Sequence, residues 1–100
     1  WNNRMERRKT ENVSDVALQY LRDMGLEGPL NEYRLLQAWD DVMGPLVVKN
    51  TRQKSIYNQT LFVQITSSAL KAELMMRRAE IIKSLNDAVG AIVIYDLVMR

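Results

Sequence analysis

Apolar residues recur with a helical period from Val13 to Met24, where Val13, Val16, Ala17, Tyr20, Leu21 and Met24 line one side. Asn12 is placed to cap this helix, Asp15 puts a negative charge in its first turn, and Gly25 ends it as a left-handed cap. A second periodic run follows. Asn31 reads as its N-cap, Leu30 can staple onto Leu35, and Leu35, Leu36, Ala38, Trp39, Val42 and Met43 give the buried face. Gly44-Pro45 interrupts it, since proline cannot donate the helical hydrogen bond. Leu46 to Asn50 fits either one more turn or extended chain.

The period then changes to two. Along Thr51 to Tyr57, Arg52, Lys54 and Ile56 share one face, and Gln53, Ser55 and Tyr57 share the other. Along Thr60 to Thr66, Leu61, Val63 and Ile65 alternate with Phe62, Gln64 and Thr66, and Asn58-Gln59 between the two runs makes a hairpin turn. The second strand therefore aims an aliphatic side at the core, and Phe62 is expected to pack under the helices. The first strand is polar and basic, as suits an exposed edge.

From Ser68 to Val89 the helical period returns, with Ser67 as cap and Gly90 as stop. Leu70, Leu74, Ile81, Leu85 and Ala88 form one side, with Met75, Ile82 and Val89 beside them. Arg78 falls inside this apolar arc, so its stem lies on apolar surface or its head meets a carboxylate or carbonyl, with a role at a surface groove as the functional alternative. Ala91 to Met99 is apolar on both sides and predicts a third strand, parallel to the second because a helix joins them. The reading is an α+β domain of order α-α-β-β-α-β, its three-stranded mixed sheet packed against helices.

Composition narrows the chemistry. With 100 residues, 47% hydrophobic and 26% charged, the chain has the makings of one domain over residues 11–100, behind a flexible basic N-terminal tail over residues 1–10. Arg4, Arg7, Arg8 and Lys9 against the single acid Glu6 give that tail its charge, and Met5 offers itself as a natural start. No apolar run reaches the roughly 20 residues of a membrane-spanning helix, and no secretory signal is expected. Zero Cys fits a cytoplasmic location. Without His or Cys, zinc sites of the usual kind, Ser–His–Asp triads and Cys nucleophiles are excluded, so no metal, cofactor or catalytic residue is assigned. Asp40-Asp41 does not rescue an enzyme reading: neighbours on a helix point about 100° apart and do not converge on one metal or proton.

Two features bear on ligands. Gly25-Leu26-Glu27-Gly28 has the letters of a phosphate-clamping GxxG loop, but Glu27 in its middle would repel phosphate, and a helix cap plus turn explains both glycines. The second is a charge anomaly. Met43 to Ala72 holds no Asp and no Glu in a chain of net charge +2, while Lys49, Arg52, Lys54 and Lys71 stand in it. These cations, with Arg7, Arg8 and Lys9, are candidate phosphate contacts, and Tyr57 is a candidate for stacking on a base. The competing explanation of Arg52 and Lys54 is protection of an edge strand against aggregation, or contact with an acidic partner protein.

The landmarks fall in a recognisable order. They are Leu36-x-x-Trp39-x-x-Val42-x-Gly44, then Leu61-x-Val63-x-Ile65 followed by Ser67-Ser68-Ala69-Leu70, then Glu73-Leu74, Leu85-Asn86 with Gly90, and a strand ending at Arg100. Gly28-Pro29-Leu30-Asn31-Glu32, and Glu73-Leu74-Met75-Met76 with Arg78, complete the set. Over residues 11–100 this resembles the DciA family, long catalogued as a domain of unknown function, in its short single-domain form. The resemblance implies a compact KH-like domain in a bacterial, non-enzymatic accessory protein that helps load or operate the replicative DNA helicase. It implies single-stranded or forked DNA and that helicase as partners, without the longer C-terminal tail by which some relatives reach the helicase. No G-x-x-x-x-G-K-[ST] phosphate loop is present, in keeping with a family that carries no ATPase motif. The alternative function is a protein–protein adaptor that binds through an edge strand or a helix groove without touching nucleic acid.

Overall fold

The computed structural model of the chain describes residues 15–100. The predicted cap Asn12, Val13 and the basic tail with Arg7, Arg8 and Lys9 lie outside the described residues. Helix α1 spans Asp15–Asp23, α2 Glu27–Met43 and α3 Pro45–Lys49. Strands β1 (Thr51–Tyr57) and β2 (Thr60–Ile65) follow, then α4 (Ser68–Met76), α5 (Arg78–Val89) and β3 (Asp96–Met99). The α+β class and the α-α-β-β-α-β plan hold, with α3 as an added turn and the long third helix delivered in two pieces.

Helix α1 closes as its glycine predicts. Gly25 sits at φ 74°, Leu26 N–H donates to the Leu21 carbonyl at 2.8 Å, and Gly25 N–H donates to Arg22 at 3.0 Å. These two bonds are the Schellman pattern. Helix α2 then starts at Glu27, four residues before the Asn31 cap that the pattern suggests, and Leu26 precedes it without a side-chain cap. Pro29 permits this. In the first turn its missing N–H would have had no helical partner, so proline costs nothing there. Gly25 therefore ends one helix and Gly28 lies inside the next, with Glu27 between them paired to Arg22 at 2.7 Å. The four residues form no phosphate-clamping loop.

Strands β1 and β2 pair antiparallel, β2 and β3 parallel, in the order β1-β2-β3. Asn58 and Gln59 turn the hairpin with φ of 56° and 60°, the left-handed pair that matches strand twist. Leu61, Val63 and Ile65 of β2, with Leu97 and Met99 of β3, face the helices and join Leu35, Ala38 and Trp39 of α2, Leu74 of α4, and Ile81 and Leu85 of α5 in one core. Trp39 is fully buried, and its ring N–H donates to Thr51 Oγ at 3.1 Å.

Two predicted elements change shape. The long helix breaks at Arg77, whose N–H turns to the Leu74 carbonyl three residues back at 3.0 Å. No Gly or Pro marks that point, so the periodicity reads through it. The third strand is shorter than the apolar run Ala91–Met99, since only Asp96–Met99 pairs with β2. Val93 and Ile94 are buried without a strand partner because the Asn86 amide substitutes for one. Asn86 Oδ1 accepts from Val93 N–H at 3.0 Å and Ile94 N–H at 3.2 Å, and its amino group donates to the Ile94 carbonyl at 2.9 Å.

Candidate nucleic-acid interface

The open end of the hairpin, away from the Asn58-Gln59 turn, gathers the cations. Thr66 N–H donates to the Asn50 carbonyl at 2.9 Å, and Thr66 Oγ donates to Asn50 Oδ1 at 3.0 Å, which joins the end of α3 to the end of β2. Lys49 is the last residue of α3, one position before this clamp. On its far side Ser67 Oγ accepts from Leu70 N–H at 3.2 Å and starts α4, and Lys71 lies in that first turn. Arg52 is two residues beyond Asn50 on β1. The backbone positions of Lys49, Arg52 and Lys71 thus meet at one end of the sheet, and none of the three has a carboxylate partner among the described residues.

Arg52 owes its position to a bulge. Thr51 stands opposite Ile65 and Gln53 opposite Gln64, so Arg52 is the extra residue. Anchors on both sides fix it. Thr51 points inward, accepting from Trp39 and donating to the Val47 carbonyl at 2.7 Å. Lys54 also points inward, donating to the Leu36 carbonyl at 2.9 Å and to Asp40 Oδ1 at 3.0 Å. A strict alternation cannot turn both Thr51 and Lys54 inward, and one extra residue restores the phase. Arg52 consequently does not share the face of Lys54 and Ile56, as the regular pattern suggested. Lys54 is only 21% exposed, and its charge is taken by α2. Asp40 thereby has a structural partner, which its adjacency to Asp41 did not reveal.

Tyr57 stands at the opposite end of β1, beside the turn, five residues and roughly 17 Å of strand from Arg52. It is 75% exposed. Phe62 does not pack under the helices. It alternates with buried Leu61 and Val63, so it lies on the other side of the sheet, where the Arg100 guanidinium sits 4.8 Å from its ring centre. Sequence reasoning missed Phe62 and Arg100 as neighbours because only the β2–β3 register brings them together. The signal for Phe62 was in hand: in a strand whose odd positions are aliphatic, an even position faces away.

At the other edge, Arg78 leaves α5 to meet β3. Its Nε donates to the Leu97 carbonyl at 3.0 Å and its Nη2 pairs with the Asp96 carboxylate. Asp96 Oδ1 also accepts Leu97 N–H at 2.8 Å. The hydrogen bond from Arg78, then that from Leu97, holds the Asp96 carboxyl below the ordinary carboxylate range. Arg78 is thus a structural arginine, and both backbone polar groups of Leu97 are occupied. A separate recess of about 110 Å³ between α1, α2 and α5 is lined by Leu18, Leu21, Leu30 and Val89 with the Arg22–Glu27 pair, and shares no residue with the basic end.

Among the described residues no three His, Cys, Asp or Glu side chains cluster as a metal site would require, and no helix is long and apolar enough to cross a membrane. The family model for "Dna[CI] antecedent, DciA" matches residues 12–99. The chain belongs to the DciA family. No curated protein matches the sequence. DciA membership connects the chain with DNA replication and gives it an accessory role related to helicase loading, in a family not known for catalysis.

Proposed function

We propose that this DciA-family chain is a non-enzymatic accessory protein that binds DNA beside the replicative helicase, contacting phosphates with Lys49, Arg52 and Lys71. The observation that carries the reading is the meeting of these three cations, none with a carboxylate partner among the described residues, around the Asn50–Thr66 clamp, inside a thirty-residue stretch without acids. Bare cations held on rigid elements suit phosphates, which give affinity and orientation without sequence preference. Lys54 stands outside the set because its ammonium is spent on α2. Tyr57 belongs to it as an exposed ring for stacking, and Arg7, Arg8 and Lys9 belong to it on their charge alone. Single-stranded or forked DNA is the proposed form of the nucleic acid. The test is titration of a labelled single strand against the Lys49→Ala, Arg52→Ala and Lys71→Ala variants. Each is expected to weaken binding several-fold, and unchanged binding in all three would remove the assignment.

A second reading, an adaptor that takes a partner strand, is favoured by one observation. Of the two sheet edges, β3 has its Leu97 groups occupied by Arg78 and Asp96, whereas β1 has only β2 as a strand neighbour among the described residues. Recovery of the helicase that is equal in low and high salt, with no detectable DNA binding, would decide for it.

A further inference from the structure

We infer that the face of the sheet that carries no helix among the described residues is a stacking platform for the unpaired bases of a single strand, built on Phe62 and Tyr57. The inference rests on the nucleic-acid reading above and adds what the strand does after its phosphates are held. The helices occupy one face: buried Leu61, Val63, Ile65, Leu97 and Met99 all join the helical core. Phe62 alternates with them and is not among the residues packed on that core. Tyr57 is on the same face, since it stands opposite Thr60, two positions from Phe62 and in the same phase. Two rings related in this way are diagonal cross-strand neighbours, about 7–8 Å apart at their backbones. Sheets that read single-stranded RNA present their aromatic residues in this manner and stack two or three bases on them.

Charge decides the occupant. A solvated sheet face with scattered polar residues needs no ligand, but this one carries a guanidinium directly over its central ring, Arg100 at 4.8 Å from Phe62. A flat cation resting on a flat ring marks where a base would lie, and the guanidinium can remain above the inserted base or turn to a phosphate. The carboxylate on this face, Asp96, is neutralised by Arg78 and by its own neighbour's N–H. Gln53 and Gln64, opposite each other, stand between Phe62 and the basic end and offer amides to base edges. A strand gripped at Lys49, Arg52 and Lys71 would therefore run over Phe62 towards Tyr57. A duplex, whose bases are already stacked and paired, has no face to offer.

The experiment compares an oligothymidylate, an abasic oligomer of the same length and a duplex by fluorescence anisotropy at one low salt concentration. The wild-type chain should bind the oligothymidylate on the order of 5- to 100-fold more tightly than the abasic strand, the range for one stacked base. Phe62→Leu, which keeps an apolar side chain, should lose most of that preference and keep its affinity for the abasic strand. Tyr57→Ala, at an exposed position where folding is not at stake, should lose part of it. Arg52→Ala should weaken both single strands in proportion. Equal wild-type affinity for the two single strands would overturn the platform and leave the phosphate reading standing. A preference kept in full by both aromatic variants would also overturn it. Absence of binding to every oligomer would overturn both readings together.

Discussion

Lys54 Nζ donates to Asp40 Oδ1 at 3.0 Å, which ties the edge strand β1 to the middle of α2. The same ammonium donates to the Leu36 carbonyl at 2.9 Å, so a positive charge holds the first strand against the helix layer. Both partners keep some contact with water, and solvent screens the pair. Lys54→Met should lower stability by about 1 kcal/mol and leave DNA affinity within twofold of the wild type. Urea unfolding and the same oligonucleotide titration, run on one preparation, check both halves. A large loss of affinity with unchanged stability would return Lys54 to the binding set.

Asn86 carries three hydrogen bonds to the backbone of Val93 and Ile94. Asn86→Ala leaves those groups without partners in a segment where both side chains are buried. The expected loss is about 2–4 kcal/mol, which places it among the severe single changes. Asn86→Asp keeps the two acceptor bonds and loses the donor, so it should fall between alanine and the wild type at neutral pH. Thermal unfolding of the three proteins orders them.

Gln59 holds a left-handed φ of 60° although it has a Cβ, and its carbonyl accepts Tyr95 N–H at 2.8 Å. That bond is backbone to backbone, so it survives a change of side chain. Gln59→Gly should stabilise the domain by about 0.5–1 kcal/mol, because glycine removes the steric cost of this conformation and completes the preferred Asn-Gly turn. A lower unfolding midpoint in the variant would show that the turn gains more from glutamine than from ease of φ.

Acid should loosen the β3 edge. Folding lowers the Asp96 carboxyl through its bonds from Arg78 and Leu97, so the folded protein binds this proton less readily than the unfolded chain. The contribution is complete above the ordinary carboxylate range. It fades as pH falls through that range and is gone below the depressed folded value. Asp96→Asn should therefore lose stability at neutral pH and show a shallower decline than the wild type between about pH 5 and pH 2. Parallel declines would mean that other carboxylates govern the acid transition.

The parts of the fold that could be read from the residues were those with a single local cause. Gly25 in its left-handed cap, the Asn58-Gln59 turn, and the aliphatic side of β2 followed from backbone preference and period two. What escaped had a tertiary cause. The bulge at Arg52 depends on Trp39 and Asp40 pulling Thr51 and Lys54 to the same side, and neither partner is near in sequence. The true start of α2 was hidden by Asn31, which reads as an N-cap, although Pro29 is accepted in a first turn and the helix begins at Glu27. Burial of Val93 and Ile94 looked like strand because one asparagine does the work of a neighbouring strand. Of the proposed interface, the absence of acids around Lys49, Arg52 and Lys71 and the exposure of Tyr57 on an edge strand could be read from the residues, while their contact with DNA is a proposal. Removing Lys54 and adding Arg100 over Phe62 required the packed structure.

The central claim is that Lys49, Arg52 and Lys71 hold DNA phosphates, and its salt dependence tests it most directly. Binding of a labelled single strand, measured over a series of salt concentrations, should give a log–log slope of about −2 from Lys49, Arg52 and Lys71, at about −0.7 for each phosphate contact, and a steeper one where Arg7, Arg8 and Lys9 add theirs. Replacing all three cations by alanine should make that slope shallower by about 2, leaving only what the tail cations Arg7, Arg8 and Lys9 contribute, and should weaken binding at low salt. A slope that is the same in the wild type and the triple variant would contradict the account.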